Sequence, residues 1–395
     1  MHYRIFSASI KSYHPSGTAL GGIVRGCSES VTSTGESLLL PSLNLRQMLN
    51  ETYSSYVQII FSTSQHLKSY DVFRRQKEST LLMSRRAVEE LAHQFISTVA
   101  PKAAKVKSTA AYEGAPDDAA AIVFREMTEL ALWGNATDLS LLTNLTLEEI
   151  QRLQTKKVAD DRERSIVDND WVEACKLLQK GRSMSSLGSP RRVDIILDNA
   201  GFELYTDVLY AAYMLEADLA SEVVLHAKSF PWFVSDVTPN DFDMLIKTLD
   251  DPSVFPDRED LDRLTACIKA HLNKDTIKLQ VHPFWTTHFS FDALPVEAPE
   301  LMEQLQQSYL TIWKGDLNYR KLTRDGLWPH TTAFKTALGR LGQGSGVRIF
   351  ALRTNKSDTC VGVSAGRLEE LEKEAPGKAW VRNGKYAVMS FSDGT

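Results

Sequence analysis

From residue 48 to 179, apolar positions recur at i, i+3, i+4 and i+7, most clearly over 84–99 and 119–132, and alternating β-branched runs are absent. That period predicts a succession of amphipathic helices. Thr146, with Glu149 three residues on, reads as an N-cap closed by a capping box. The Ser- and Gly-rich stretch 180–190 reads as a linker. After Arg191 the period changes. Residues 193–198 form a short apolar run with a polar end, followed by a long amphipathic stretch over 202–219. Further strand candidates are 222–227, 277–282, 309–313, 347–353 and 386–391. Helical patterns lie between them at 241–249, 261–272, 299–307, 332–341 and 367–374. Strands alternating with helices predict a largely parallel sheet covered on both faces. No internal repeat or low-complexity tract interrupts the pattern.

Composition narrows this picture. The chain has 395 residues, 43% of them apolar, which allows two or three domains and a core that needs no staple. Its 45 basic and 50 acidic residues give a net charge of −5, which excludes the positive field that holds nucleic acid. No apolar run has the roughly 18 residues of a membrane-spanning helix. Cys27, Cys175, Cys267 and Cys360 are scattered, with no CxxC pair, so neither a disulfide framework nor a cysteine zinc site is expected, and a reducing compartment is. The first 65 residues hold only seven charged residues and 18 Ser or Thr. Arg4, Lys11 and Arg25 precede the first acid, Glu29, a pattern loosely like a mitochondrial transit peptide. The plainer reading is an atypical, poorly ordered N-terminus, with the cytoplasm, or the nucleus as well, as the expected location.

Ligands of open α/β sheets bind beyond the carboxyl ends of the strands, so the residues that follow each strand are the candidates. Asp198 and Asn199 follow the first, with Gly201 and Glu203 at a helix start; Lys228 to Asp236 follow the second. Lys314-Gly-Asp316-Leu317-Asn318-Tyr319-Arg320 and Arg353-Thr-Asn-Lys356 follow two others. Asp198, Asn199 and Asp236 are hard oxygen ligands that suit Mg²⁺ or Mn²⁺ rather than zinc. Arg320 and Lys356 are cationic donors suited to phosphate, and the helix opening near Gly201 aims backbone N–H groups at the same place. Each residue alone has a plainer role: Asp-Asn as a turn or cap, Lys356 and Arg320 as surface charges, Trp232 and Trp313 as core aromatics. Together, at strand ends, they describe metal-assisted phosphoryl chemistry. Gly342-Gln-Gly344-Ser-Gly346 precedes a strand and lacks the GKS/T ending, so it reads as a connecting loop. His271, His282, His288 and His330 show no fixed ligand spacing and read as structural or surface residues, and no GxSxG elbow supports a Ser hydrolase.

The motifs Asp198-Asn-Ala-Gly-Phe-Glu203-Leu, Pro231-Trp-Phe-Val-Ser-Asp236, Lys314-Gly-Asp-Leu-Asn-Tyr-Arg-Lys321 and Arg353-Thr-Asn-Lys356 resemble the signatures of the damage-control phosphatase family, subfamily III. Leu132-Trp-Gly-Asn-Ala-Thr-Asp-Leu-Ser140 resembles a helical-domain segment of the same family. The resemblance runs from about Tyr70 to the C-terminus and is specific from Arg192 onward. It implies a three-layer α/β/α sandwich with a Rossmann-like, mostly parallel sheet over 191–395, an N-terminal helical domain over 66–190, and a separate segment 1–65. It further implies a divalent-metal phosphatase (Mn²⁺ or Ni²⁺, with Co²⁺ or Mg²⁺ as alternatives) acting on sugar phosphates of the fructose 1-phosphate and fructose 6-phosphate type. Asp198, Asn199 and Asp236 would bind the metal. Asp198, Asp236 and Glu203 would be catalytic. Asp198, Asn199, Glu203, Asp236, Asp316, Leu317, Asn318, Tyr319, Arg320 and Lys356 would contact substrate. The nucleophile is a metal-bound water or Asp198 itself. The expected partner is the small phosphorylated sugar, with no nucleic acid, no membrane and a monomeric chain. Two other readings stand beside this one. One is an S-adenosylmethionine-dependent protein-glutamate O-methyltransferase, an activity attributed to a relative within the family, although Asp198-Asn-Ala-Gly201 supplies a single glycine. The other is a non-catalytic phosphometabolite sensor.

Overall fold

The computed structural model describes residues 70–108, 119–134, 164–183 and 190–395. The segment 1–65 and the capping box at Thr146 lie outside the described residues.

The sheet is built from short runs of Val, Ile, Leu and aromatic residues. Its strands are β1 (Ile166–Asn169), β2 (Arg192–Ile196), β3 (Glu222–Ala227), β4 (Ile277–Val281), β5 (Leu310–Lys314), β6 (Ile349–Thr354) and β7 (Ala387–Ser392). Their order across the sheet is β1-β7-β6-β5-β2-β3-β4. All neighbours pair in parallel except β6 and β7. Strands buried on both faces read as continuous apolar runs, and alternate residues serve different layers. Val193, Ile195 and Leu197 join one apolar cluster and Ile196 the other. In β5, Ile312 and Trp313 divide in the same way.

One face carries α1 (Arg74–Met83), α2 (Arg85–Gln94), α3 (Ala100–Ser108), α4 (Ala119–Trp133), α5 (Trp171–Ser183), α6 (Phe202–Glu216), α7 (Pro239–Asp250) and α8 (Glu259–Asn273). The other carries α9 (Pro299–Gln307), α10 (Gly315–Leu322) and α11 (Ala365–Glu374). This is the expected three-layer α/β arrangement with a helical N-terminal region. Among the described residues, no helix is long and apolar enough to cross a membrane.

Three departures from the sequence reading have physical causes. A strand, β1, interrupts the segment read as wholly helical. Its four residues are too few to register as a period, and as an edge strand it pairs only with β7. α6 is not amphipathic: every residue from Phe202 to Leu215 is buried, because the helix lies between the sheet and the N-terminal helices. Its polar tips find partners there, with the Tyr205 hydroxyl donating to the Val88 carbonyl at 2.9 Å and the Tyr210 hydroxyl 2.8 Å from Thr128 Oγ1. α10 was read as a polar strand end, since its eight residues give barely two helical turns.

The N-terminal helices are fastened to the sheet domain by an ionic contact as well as by apolar packing. Lys77 of α1 is buried and lies 2.9 Å from Asp71 Oδ2 and 2.8 Å from Asp241 Oδ2. Asp241 also closes the capping box of α7, accepting from the Thr238 backbone at 2.8 Å and its hydroxyl at 2.7 Å, with Pro239 at the first helical position. Removing one partner of such a buried set leaves the others uncompensated, which costs about 3–5 kcal/mol. Lys77→Met is therefore expected to lower the unfolding free energy in urea by about 3 kcal/mol or more. A fall below about 1 kcal/mol, the scale of an exposed ion pair, would contradict this account.

Candidate active site

The chain reverses its direction of strand addition between β2 and β5. From β2 it builds outward through β3 to β4, then returns to β5 and continues to β6. Such a switch point opens a crevice at the carboxyl ends of the strands, and the candidate residues gather there. Asp198 and Asn199 follow β2. The Val237 N–H donates to the Asp198 carbonyl at 2.9 Å and the Ala200 N–H to the Ser235 carbonyl at 2.8 Å, so an antiparallel bridge between Asn199 and Asp236 joins the loops after β2 and β3. Lys77 donates to the Asp236 carbonyl at 2.9 Å and fixes the same loop from the helical side. In that loop Val234 has a φ of +74°. For a β-branched residue this conformation is strained by about 1–3 kcal/mol, and such strain collects at functional sites.

Two glycines make the close approach possible. Gly201 (φ +75°) turns the chain into α6, and a Cβ there would lie 2.1 Å from Thr80 Oγ1. Gly315 (φ +84°) opens α10, and a Cβ there would lie 1.9 Å from Asp198 Oδ2. Any side chain at 315 would thus collide with the central carboxylate.

Around this point the side chains form an acid cluster threaded by buried cations. The Asn199 amide donates to Asp198 Oδ2 at 2.8 Å and to Glu203 Oε2 at 2.7 Å, while its oxygen accepts from the Ser235 hydroxyl. Lys314 lies 2.7 Å from Asp207 Oδ1 and 3.3 Å from Glu203 Oε1, and also donates to the Ala131 carbonyl at the end of α4. Burial works against its charge, but Asp207 and Glu203 outweigh that and hold the ammonium above its ordinary range. Lys228 donates to the Leu197 carbonyl at 2.9 Å and stands 3.6 Å from Asp236 Oδ2. Asn318 donates to the Leu197 carbonyl at 3.1 Å and the Lys314 carbonyl at 2.7 Å, tying α10 to the end of β2.

Burial, and after it the Glu203 and Asp236 carboxylates, push Asp198 well above the carboxylate range against the pull of Lys228 and Lys356. Burial first, with Glu203 adding, raises Asp236 to about 6 against Lys228 and Lys77. Asp236 Oδ2 is buried and makes no hydrogen bond among the described residues. Crowded carboxylates, one with an oxygen that makes no hydrogen bond and has Lys228 no nearer than 3.6 Å, fit a divalent cation with oxygen preference. Asn199 turns its amide nitrogen to the carboxylates, so ligation through its oxygen would need the amide to rotate away from Ser235.

The remaining candidates stand further out. Asp316 accepts from Arg353 Nε at 2.8 Å, the Ser357 hydroxyl at 3.0 Å and the Lys356 backbone N–H at 3.2 Å. Leu317 and Tyr319 are buried. The Tyr319 ring lies beneath Arg353, 4.5 Å from its guanidinium carbon, and its hydroxyl accepts from the Val361 N–H at 3.1 Å. Arg320 is engaged by Asp325 through two contacts at 2.8 and 2.7 Å. The structure therefore gathers Asp198, Asn199, Glu203 and Asp236, brings Lys356 within electrostatic reach, and sets Asn318 as a brace. It directs Tyr319 and Arg320 to other partners. The sequence reading gave no role to Lys228, Lys314, Lys77, Asp207 or Arg353. Lys228 and Lys314 each end or follow a strand directly, and a lysine after an apolar strand was the one signal available.

Comparison with known proteins finds the chain's family. Residues 28–371 match the damage-control phosphatase ARMT1-like domain. The zebrafish (Danio rerio) protein named damage-control phosphatase ARMT1 is 39% identical over 270 residues, 68% of this chain and 58% of that protein. The mouse (Mus musculus) protein of the same name is 31% identical over 326 residues, 82% of this chain and 69% of that protein. The human (Homo sapiens) one is 30% identical over 325 residues, 82% and 68%. This chain belongs to the damage-control phosphatase family. Each of these relatives carries the name damage-control phosphatase. The family match begins at residue 28, before Tyr70, where the motif resemblance begins, and the chain spans 58% of the zebrafish relative.

The raised Asp236 has a consequence for the metal-free protein. Its folded value of about 6 exceeds the ordinary 3.8, so the folded state holds the proton more tightly than the unfolded chain. That contribution is complete below about pH 3.8 and is lost as pH rises through about 6. Urea unfolding of EDTA-treated protein should show stability falling across this window, and Asp236→Asn should reduce the fall. Identical pH dependence in the two proteins would contradict the assignment.

Proposed function

We propose that this chain is a metal-dependent phosphatase that hydrolyses phosphomonoesters of small sugars, of the fructose 1-phosphate and fructose 6-phosphate type, in metabolite damage control. The observation that carries the reading is the buried trio Asp198, Glu203 and Asp236 at the strand switch point, flanked by buried lysines and by Lys356. Family membership supports the hydrolase class. Asp198 and Asp236 would hold the cation, Mn²⁺ or Ni²⁺ by the family resemblance, with Asn199 beside them. When bound, that cation supplies Lewis-acid polarisation of a phosphoryl oxygen.

The chain's own residues do the rest. Lys356 neutralises charge that develops on the phosphoryl oxygens. Arg320 would join it by exchanging Asp325 for phosphate. Lys228 and Lys314 hold the carboxylates in place and offset part of their charge. Glu203 holds Asn199 and stands where it would accept a proton from the attacking water or bind a sugar hydroxyl. Asp316, oriented by Arg353, would bind a sugar hydroxyl at the rim. The methyltransferase alternative would leave this pairing of carboxylates and cations without a use, since a methyl group in transfer needs neither.

Phosphate release from fructose 1-phosphate, measured with and without Mn²⁺, tests the reading. Metal-stimulated release should vanish in Asp198→Ala. Lys356→Gln should reduce kcat/KM by about tenfold or more, about 1.4 kcal/mol. Tight S-adenosylmethionine binding with no phosphate release from any sugar phosphate would overturn it.

A further inference from the structure

Among the described residues, one trio of His, Cys and carboxylate groups brings its ligand atoms within 4.8 Å of one another, and it lies away from the acid cluster. Glu216 is the last residue of α6, and Cys267 and His271 stand four apart on α8, on one face of that helix. His271 Nε2 is 3.0 Å from Glu216 Oε1, and Cys267 Sγ is 3.9 Å from the same oxygen. We propose that Glu216, Cys267 and His271 form a second metal site, for a thiophilic borderline cation of the Zn²⁺ class, which staples the C-terminal end of α6 to α8.

Three observations carry this. The first is the orientation of the histidine. The Thr276 hydroxyl donates to the His271 carbonyl at 3.2 Å and is 2.9 Å from His271 Nδ1. In the tautomer that has Nδ1–H donating to that hydroxyl, the Nε2 lone pair faces Glu216. Two acceptors then face each other, and a cation between them resolves the conflict. A ligating histidine whose other nitrogen is held by a hydrogen bond is the usual arrangement at metal sites. The second is ligand type. A thiol beside an imidazole selects Zn²⁺-like ions over Mn²⁺ or Mg²⁺. Ligation by Cys267 would release its thiol proton to solvent. The third is spacing. Tetrahedral zinc separates such ligand atoms by about 3.3–3.6 Å, and the observed 3.0 and 3.9 Å bracket that range. All three residues are partly exposed, so an ion and a water in the fourth position can enter from solvent.

Glu216 lies 13 residues beyond Glu203 on the same helix, roughly 20 Å along its axis, so this site takes no part in chemistry at Asp198. The absence of a CxxC pair excludes an all-cysteine site but not this one, whose third ligand is 51 residues from Cys267 in sequence.

Co²⁺ titration of the metal-stripped full chain tests the proposal, because cobalt bound to a thiolate gives a ligand-to-metal charge-transfer band. The band should appear in wild type and in Asp198→Ala, be abolished by Zn²⁺ and persist in Mn²⁺. It should be absent from Cys267→Ser, and Glu216→Gln or His271→Ala should weaken Co²⁺ binding at least tenfold. A wild type without the band, a band that survives in Cys267→Ser, or one lost in Asp198→Ala would overturn the site. The Glu216→Gln titration keeps the decision open to refutation if Cys267→Ser fails to fold, since unchanged Co²⁺ affinity there contradicts a trio.

Discussion

Three carboxylates share one dry corner at the end of the sheet, and most of the surrounding structure serves to make that tolerable. Isolated buried charges cost far more than a domain's net stability can bear. The chain answers with cations of its own. Lys314 stands between Asp207 and Glu203, Lys228 stands near Asp236, and the Asn199 amide bridges Asp198 and Glu203. None of these fully serves Asp236, one of whose oxygens makes no hydrogen bond among the described residues, with Lys228 3.6 Å away. That deficit of positive charge is the physical basis for placing a divalent cation here.

The fold converges on the same corner from several directions. The reversal of strand order sets the end of β2 beside the start of α10, and Gly315 removes the side chain that would otherwise occupy the space of the Asp198 carboxylate. The bridge between Asn199 and Asp236 locks two loops together. Lys77 reaches in from α1 to hold the second loop, and the Ala131 carbonyl receives Lys314 from α4. The N-terminal helices are thereby part of the site's support, which explains why an isolated sheet domain would lack two of the contacts that order it.

Much of this was legible in the sequence. Six of the seven strands followed from short apolar runs, and their alternation with helices implied the layers and the end of the sheet at which to look. Asp198, Asn199, Glu203 and Asp236 stood out because oxygen ligands followed apolar strands. The lysines did not, because a lysine in sequence reads as a solvated surface charge and only the fold shows that 228 and 314 are buried. Arg320 and Arg353 illustrate the converse. Both carry the same charge, yet Arg320 on α10 turns to Asp325 while Arg353, at the end of β6, stacks on Tyr319 and orients Asp316. β1 escaped notice because four residues cannot establish a period, and α6 looked amphipathic because its tyrosines are polar only at their tips.

The central claim is that the carboxylates of Asp198 and Asp236 together hold a divalent cation. An anomalous difference map from crystals grown with Mn²⁺ tests it most directly. The account predicts a manganese peak within about 2.0–2.3 Å of an oxygen from each carboxylate, absent in crystals of Asp236→Asn. Manganese bound elsewhere, with these two carboxylates left facing only Lys228 and Asn199, would contradict it.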